Sequence, residues 1–351
     1  MPNRNKKVGV ALSGGVDSSV ACALLKKQGF EVVGFFMNLW IAQGGCCSIE
    51  DQERARKVAE ILKIPFYVVN FSDSFKKGVV EYFLAEIKKG KTPNPCVVCN
   101  KEIKFGLLLE KAQALGCDYL ATGHYAKTKD GKLFRAKNLE KDQTYFLWKL
   151  GQKELAKILF PLGEIESKQK VRELAKKFGL PTYKTPESND VCFLAQTNLQ
   201  QFLTQITATG LPQAGKIVDM GGNALGQHKG LWFYTIGQRK GIELSGGPYF
   251  VVEKDIKKNI LVVSKNENDL LKKELVAQEV NWASGVTPTV PLKVLAKVRY
   301  GTEPASAIIK EKLGPKKYKV VFTKSQRAIT PGQSVVFYGK GNELLGGGII
   351  E

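Results

Sequence analysis

Short apolar runs and helically spaced apolar positions alternate along the first half of this chain. In "KKVGVALSGGVDSSVACALLKKQGFEVVGFFM" (6–37), the apolar run 7–12 leads into a polar turn. A stretch starting at Asp17 then carries apolar residues at Val20, Ala23 and Leu24 and ends at Gly29, a natural helix stop, before a second apolar run over 30–37. The pattern predicts strand, helix and parallel strand. It recurs: Ser48 and Asp51 form a capping box for a helix through Lys63, "PFYVVNF" (65–71) is a strand, and 73–89 is a helix. A cysteine-bearing loop, a helix over 101–116 and the strand "CDYLATGHY" (117–125) follow. Alternation of this kind predicts an α/β domain with a doubly wound parallel sheet. Residues 151–180 add two helices, the second capped by Ser167 and ended at Gly179.

From about residue 200 the texture changes. Gly-rich turns separate short alternating strands up to about 270, which predicts a small β-rich domain. Beyond it, "LKVLAKVRY", "YKVVFT" and "QSVVFYG" are short β runs spaced by turns, as in a small β-barrel. The expected division is therefore 1–199, 200–270 and 271–351, which suits a chain of 351 residues.

Composition adds a partner. Hydrophobic residues make up 43% and charged residues 25%, as in globular proteins, and the longest apolar stretch, near "GFFMNLWIA" (34–42), is too short to span a membrane. The basic start "MPNRNKKVGVALSGG" is cut by glycines before it can serve as a signal peptide, so a cytoplasmic protein is expected. The 53 Lys and Arg against 33 Asp and Glu give a net charge of +20, spread along the chain. An excess of this size is expected to face a polyanion such as RNA or DNA, with a membrane surface the weaker option. The seven cysteines form an odd set with no secretory signal, which argues against a disulfide framework. Cys22 and Cys117 fall in apolar patterns and are expected in cores, while the adjacent Cys46 and Cys47 have no assigned role.

The chemistry starts at "SGGVDSS" (13–19), between the first strand and its helix. Gly14 and Gly15 allow close backbone approach to a phosphate; Ser13, Ser18 and Ser19 offer hydroxyls, and the helix start offers free N–H groups. No G-x-x-x-x-G-K-[ST] is present, so the loop fits a pyrophosphate that leaves as a unit and deposits adenylate on an acceptor. An ordinary Gly-Gly turn does not require this set of residues after a strand and before a helix.

"SGGVDSS" resembles the pyrophosphate loop of the N-type ATP pyrophosphatases. Together with "TPNPCVVCNKEIKF" (92–105), "ATGHYAK" (121–127), "KDQTYFL" (141–147), "SNDVCF" (188–193), "YTIGQRKG" (234–241), "TPGQSVVFY" (330–338) and the terminal "LGGGIIE" (345–351), in that order, the whole chain is similar to the tRNA-specific 2-thiouridylases. That resemblance implies an adenine-nucleotide α-hydrolase-like domain and two C-terminal β-rich domains. It implies ATP with Mg2+ held around Ala11, Leu12, Ser13, Gly14, Gly15, Val16, Asp17, Ser18, Met37 and Gly123, with Asp17 also catalytic. The target base would lie against Asn94, Pro95 and Cys96 after leaving its stack. Further tRNA contacts would come from His124, Lys141, Asp142, Gln143, Arg299, Tyr300 and Gln333, and the basic "GQRKG" (237–241) would face RNA. The substrate would be uridine 34 in the anticodon stem-loop, and the sulfur donor a cysteine desulfurase or a relay protein.

The implied reaction adenylates O2 of the uracil, receives sulfur as a persulfide on Cys192, and uses Cys99 as the nucleophile that releases it, leaving a Cys99–Cys192 disulfide. Only a thiolate is a good nucleophile, and an unperturbed cysteine near pKa 8.5 is mostly protonated at neutral pH. Lys91, Lys101, Lys104 and the start of the 101–116 helix are expected to favour it. Many members of the family carry Asp where this chain has Cys96. The resulting trio Cys96, Cys99 and Cys192 also has the composition of a ligand set for a [4Fe–4S] cluster with one open iron, so the persulfide and cluster routes both stand at this stage. A structural zinc has no obvious fourth ligand, since His124 and His228 are the only histidines. An amide- or amidine-forming synthetase would use the same loop without paired thiols. An RNA-binding protein with a vestigial loop would not need Ser13, Gly14, Gly15, Asp17 and Ser18 intact.

Overall fold

The computed structural model describes residues 5–40, 49–186, 191–194, 199–206 and 213–351. Cys46, Cys47, the capping Ser48 and residues 188–190 of the "SNDVCF" motif lie outside the described residues.

The strands of the first half are β1 (Lys7–Ala11), β2 (Glu31–Asn38), β3 (Phe66–Asn70), β4 (Tyr119–Ala121), the hairpin β5 (Ala126–Lys129) and β6 (Lys132–Arg135), and β7 (Ile158–Leu159). Five of them form a parallel sheet in the order β3-β2-β1-β4-β7. Alternation along each strand assigns its side chains to two cores. Val8 and Val10, with Val32 and Phe36, pack under α1 (Val16–Lys27), α2 (Ile49–Ile61) and a later helix, Lys168–Lys177. Ala11, Val33 and Phe35 meet the other side, where Leu108, Leu109 and Ala112 cover them. Helices on both faces make the sheet doubly wound, as the alternating pattern predicts.

The helices of that second side are α3 (72–88) and α4 (95–114), and each contains a π-wound stretch, Lys76–Val80 and Cys99–Leu107. The cysteine segment thus differs from its sequence reading. The helix does not start at residue 101 behind a loop. Pro95 stands at its first position, where a missing N–H costs nothing and the fixed φ suits a helix, so both Cys96 and Cys99 lie on α4.

The basic helix Lys168–Lys177, α5, has Ser167 as its N-cap, with Lys170 N donating to Ser167 Oγ at 3.1 Å. The last helix, α6 (Leu199–Ile206), packs Phe202 and Leu203 against α3 and Phe193.

The second half is β, as its pattern predicts. β8 (Gly215–Val218), β9 (Ala224–His228), β10 (Phe250–Asp255) and β11 (Ile260–Ser264) form a sheet in the order β10-β11-β8-β9. The remaining strands are β12 (Leu271–Trp282), β13 (Leu292–Lys297), β14 (Ala305–Gly314), β15 (Lys317–Arg327), β16 (Ser334–Tyr338) and β17 (Glu343–Ile350). They run β12-β15-β14-β13-β16-β17 and close through a β12–β17 pairing into a barrel around Val320, Phe322, Val335 and Phe337.

The β5–β6 hairpin is absent from the sequence reading, and it joins this barrel rather than the parallel sheet, with Glu343 and Leu344 of β17 pairing with Phe134 and Leu133 of β6. Its signal was available: Asp130-Gly131, both at positive φ (51° and 71°), is a favoured tight-hairpin pair between alternating positions. Trp148 Nε1 donates to Ser334 Oγ at 2.9 Å and Tyr145 Oη to Ser334 O at 3.0 Å, so the first domain and the barrel share one core.

Candidate active site

The carboxyl ends of β1, β2 and β4 open into a cavity of about 340 Å³, the place where open α/β sheets hold ligands. Ala11, Leu12, Ser13, Asp17 and Ser18 form one part of its wall. Gly14 has φ +78°, and a Cβ there would meet Asp51 O at 2.4 Å, so glycine is required twice over. Gly15 is different: an added Cβ would meet only Ser13 Oγ, at 3.4 Å, so its missing side chain leaves room above the loop. Gly15 caps α1 without any side-chain capping bond. Ser18 Oγ accepts from Ser13 N and donates to Gly15 O, both at 3.1 Å, while Ser19 Oγ donates to Gly15 O at 2.8 Å. The loop is thereby held rigid, with the helix start free to meet an anion.

Asp17 is tied from two directions that the motif did not reveal. Tyr125 Oη donates to Asp17 Oδ1 at 2.8 Å, and Lys168 Nζ reaches Oδ2 at 2.6 Å from the start of α5. Their signal was weak: Tyr125 sits inside "ATGHYAK", but Lys168 is remote in sequence. Gly123 is needed where β4 passes α1, since its Cβ would lie 2.6 Å from Ser18 N. Met37 lines the cavity and also packs against the core clusters around it.

The other part of the wall carries sulfur. Pro95, Cys96, Cys99 and Lys104 come from α4 and Cys192 from the segment 191–194, and all line the same cavity as Ser13 and Asp17. Cys192 is held in place by its neighbour: the buried Phe193 ring lies 5.2 Å from both Phe83 and Phe202 and 6.0 Å from Phe75. Phe36, Leu39, Phe75, Val79, Val191 and Phe193 supply an apolar wall that sequence reading did not assign. Burial pushes the Cys96 thiol up to about 11, with the Cys192 sulfur adding to the shift and the Lys104 ammonium opposing it, so Cys96 is protonated at neutral pH.

His124 also faces the cavity. Its Nδ1 lies 2.7 Å from Thr122 Oγ1, and the Phe105 and Phe160 rings lie 5.9 and 6.1 Å away. Burial first, and Lys104 second, hold the imidazole well below its ordinary pKa, so it is neutral.

The three lysines expected around Cys99 separate. Lys91 pairs with Glu86 at 3.2 Å and Lys101 with Glu154 at 2.7 Å, and only Lys104 lines the cavity. Among the described residues no group of three or more His, Cys, Asp or Glu side chains is arranged to hold a metal ion. The three thiols share a wall without forming a ligand set, so the side chains do not fit a [4Fe–4S] cluster.

Gln143 reaches the cavity, and its Oε1 accepts from Tyr125 N at 3.0 Å. Asn94 precedes α4 without capping it, and Val16 is buried in the first turn of α1. Lys141 N donates to Asn138 Oδ1 in the turn before Asp142. Asp142 itself is 1% exposed, accepting from Ala136 N at 3.0 Å and Thr144 Oγ1 at 2.7 Å beside Arg135. Its carboxylate is thus committed inside the protein and is not offered to a surface partner.

Arg299 donates to Ile236 O at 3.0 Å and links the barrel to the middle domain. Tyr300 is 37% exposed, its ring 4.6 Å from that of Phe146. Gln333 does not line the cavity. Its Nε2 donates to Thr92 O at 2.8 Å, while Thr92 N donates to Pro331 O at 2.9 Å, so the barrel grips the segment that leads into α4. No helix among the described residues is long and apolar enough to cross a membrane.

Comparison with known proteins agrees with this anatomy along the whole chain. Residues 6–196 match the family model described as a tRNA methyl transferase HUP domain, 200–265 its PRC-barrel domain, and 272–350 an aminomethyltransferase beta-barrel domain. A tRNA-specific 2-thiouridylase of Clostridioides difficile is 47% identical over 360 residues, covering 99% of this chain and 98% of that protein. Proteins of the same name from Clostridium botulinum (48% over 358 residues) and Carboxydothermus hydrogenoformans (46% over 361 residues) are matched over 99% of this chain and 98% of their own lengths. With identity of this level from end to end, and with the Gly14–Gly15 loop and the thiols of α4 and Cys192 on one cavity, the chain belongs to the tRNA-specific 2-thiouridylase family.

Proposed function

We propose that the chain is an ATP-dependent tRNA sulfurtransferase that converts uridine 34 to 2-thiouridine, releasing AMP and pyrophosphate. The observation that carries this reading is the shared wall: the phosphate loop and Cys96, Cys99 and Cys192 border one cavity. The matched domain model is described by methyl transfer and the relatives by thiolation. The thiols favour the second, because sulfur transfer needs them.

ATP would lie with its phosphates over Gly15 and the start of α1, and its adenosine near Met37 and Gly123. A divalent cation travelling with ATP would neutralise phosphate charge. Asp17, a carboxylate of the cavity lining, would hold it together with the substrate's own phosphates in exchange for the Lys168 ammonium now at Oδ2. Attack of the uracil O2 on the α-phosphate breaks the bond to the β-phosphate and expels pyrophosphate, leaving O2 bonded to AMP as a leaving group for the sulfur step.

Sulfur arrives on Cys192 as a persulfide from a cysteine desulfurase or a relay protein. The Cys99 thiolate attacks Cys192 Sγ; the bond from Sγ to the outer sulfur breaks, and its electron pair goes to that sulfur. The outer sulfur bonds to C2 as the C2–O2 bond breaks toward AMP. The two cysteines remain as a disulfide, which a thiol reductant returns to the starting state with two electrons. Asn94, Pro95 and His124 would border the extruded base, and Lys141, Gln143, Arg299 and Tyr300 the anticodon stem-loop, with Tyr300 offering a ring for stacking. The residue limits 1–199, 200–270 and 271–351 are proposed as the working units, in a cytoplasmic setting.

The test is thiolation of an unmodified tRNA transcript with ATP, Mg2+ and a cysteine desulfurase supplied with cysteine, read by nucleoside mass spectrometry. The expected result is 2-thiouridine at position 34 together with tRNA-dependent AMP release. AMP release without any thionucleoside would overturn the reading.

A further inference from the structure

Lys104 has no task in that scheme, yet the fold works to bring it to the thiols. From Cys99 to Leu107 the helix is π-wound, and at its end Leu108 N donates to Ile103 O, five residues back. At 3.6 residues per turn, positions 99 and 104 of an α-helix would point about 140° apart, turning the lysine away from Cys99. Winding with i→i+5 bonds brings residue 104 back over residue 99 instead, and such stretches gather at functional sites. Both side chains consequently reach one cavity.

Two further observations put the ammonium close to the contents of that cavity. It opposes the upward shift of the Cys96 thiol, and it adds to burial in keeping His124 neutral. Unlike Lys91 and Lys101, it forms no ion pair among the described residues. A cation without a carboxylate partner, in a cavity with an apolar wall, is matched by an anion that comes and goes with the reaction. The other titratable groups that line the cavity with it are Cys96 and Cys99 from α4, Cys192, His124 after β4, and Asp17 on α1. The Asp17 carboxylate already has Lys168 and Tyr125. Phosphate charge beside Asp17 therefore has Lys168 at hand, and Lys104 is left for sulfur.

We propose that Lys104 is a catalytic residue whose ammonium stabilises the sulfur anions of the transfer step: the persulfide anion on Cys192, and then the outer sulfur as it takes the electron pair from the broken S–S bond. It exchanges no atom itself. The proposal rests on the sulfur-transfer reading above, and its test separates the two.

The full-length protein and its Lys104→Gln and Lys104→Arg variants are treated with iodoacetate and with iodoacetamide. These reagents are alike in size and differ in charge, and modification of Cys96, Cys99 and Cys192 is read by peptide mass spectrometry. A cation beside the thiols speeds the anionic reagent. The expected result is a fall of about threefold or more in the iodoacetate-to-iodoacetamide rate ratio for Lys104→Gln, with recovery in Lys104→Arg. Thiolation in Lys104→Gln should fall about tenfold further than single-turnover pyrophosphate release does, with partial rescue by Arg. Lys104→Met, which keeps the aliphatic stem, serves if the Gln variant folds poorly. An unchanged reagent ratio overturns the proposal, and so does an equal fall in thiolation and pyrophosphate release. If the native protein makes no 2-thiouridine, the sulfur-transfer reading fails, while the reagent ratio still reports whether a cation faces the thiols.

Discussion

The two parts of the cavity wall are built on opposite principles. The phosphate part is backbone: Gly14 at positive φ against Asp51 O, hydroxyls bonded to Gly15 O, and an open helix start. The sulfur part is side chains brought from distant places, with Cys99 and Lys104 turned together by the π-wound part of α4 and Cys192 held by Phe193. Backbone cradles tolerate little change because their atoms have nowhere to move. A side-chain site can lose a single functional group and keep its shape. The comparison predicts failures of different kinds: substitutions in the loop should disturb adenylation and everything after it, whereas substitutions on α4 should interrupt sulfur delivery alone.

The largest effect should come from Cys99→Ser, with thiolation falling by about a thousandfold or more as the proposed nucleophile is lost. Adenylation should continue, read as single-turnover pyrophosphate release beside nucleoside mass spectrometry. If both fell together, the division between the two parts of the wall would fail. Gly14→Ala comes next. Its Cβ would press on a carbonyl 2.4 Å away and sit at unfavourable φ, so AMP release should fall about a hundredfold through misplacement of the loop. Gln333→Ala removes one hydrogen bond to Thr92, worth about 1 kcal/mol, so thiolation should fall roughly fivefold with pyrophosphate release less affected. An equal effect on both would show that the barrel steadies the whole cavity rather than α4.

The smallest effect concerns pH. His124 is neutral in the folded protein because burial and Lys104 depress its pKa, while the unfolded chain protonates it near pH 6.5. Below about that pH the unfolded state binds more protons, so stability is intact above it and declines as pH falls. His124→Gln should flatten this slope in urea unfolding followed from pH 7.5 down to 5.5. An unchanged slope would assign the acid sensitivity to other groups.

The same contrast decides what was legible in the sequence. The phosphate part is contiguous, so "SGGVDSS" announced it, and period-two and helical patterns gave the sheet and the barrel. The sulfur part depends on which face a residue presents, and that is set by winding: a pattern scan at α-helical period cannot foresee that residues 99 and 104 share a face. It also cannot rank like charges, which is why Lys91, Lys101 and Lys104 looked equivalent until Glu86 and Glu154 were seen to occupy two of them. Asp142 shows the reverse limit: the resemblance offers it as a tRNA contact, yet Thr144, Ala136 and Arg135 draw its carboxylate inward. Lys168 beside Asp17 was beyond reach because 151 positions separate the pair.

The β5–β6 hairpin has a practical consequence for anyone recombining members of this family. Chimeras cut only at the linkers would transplant the C-terminal module without Leu133 and Phe134, and the rim of β17 would arrive with its backbone groups unmatched and prone to sticking to other chains. A viable graft has to carry residues 126–135 from the same parent, so what looks like a modular protein is inherited, along that seam, as one piece.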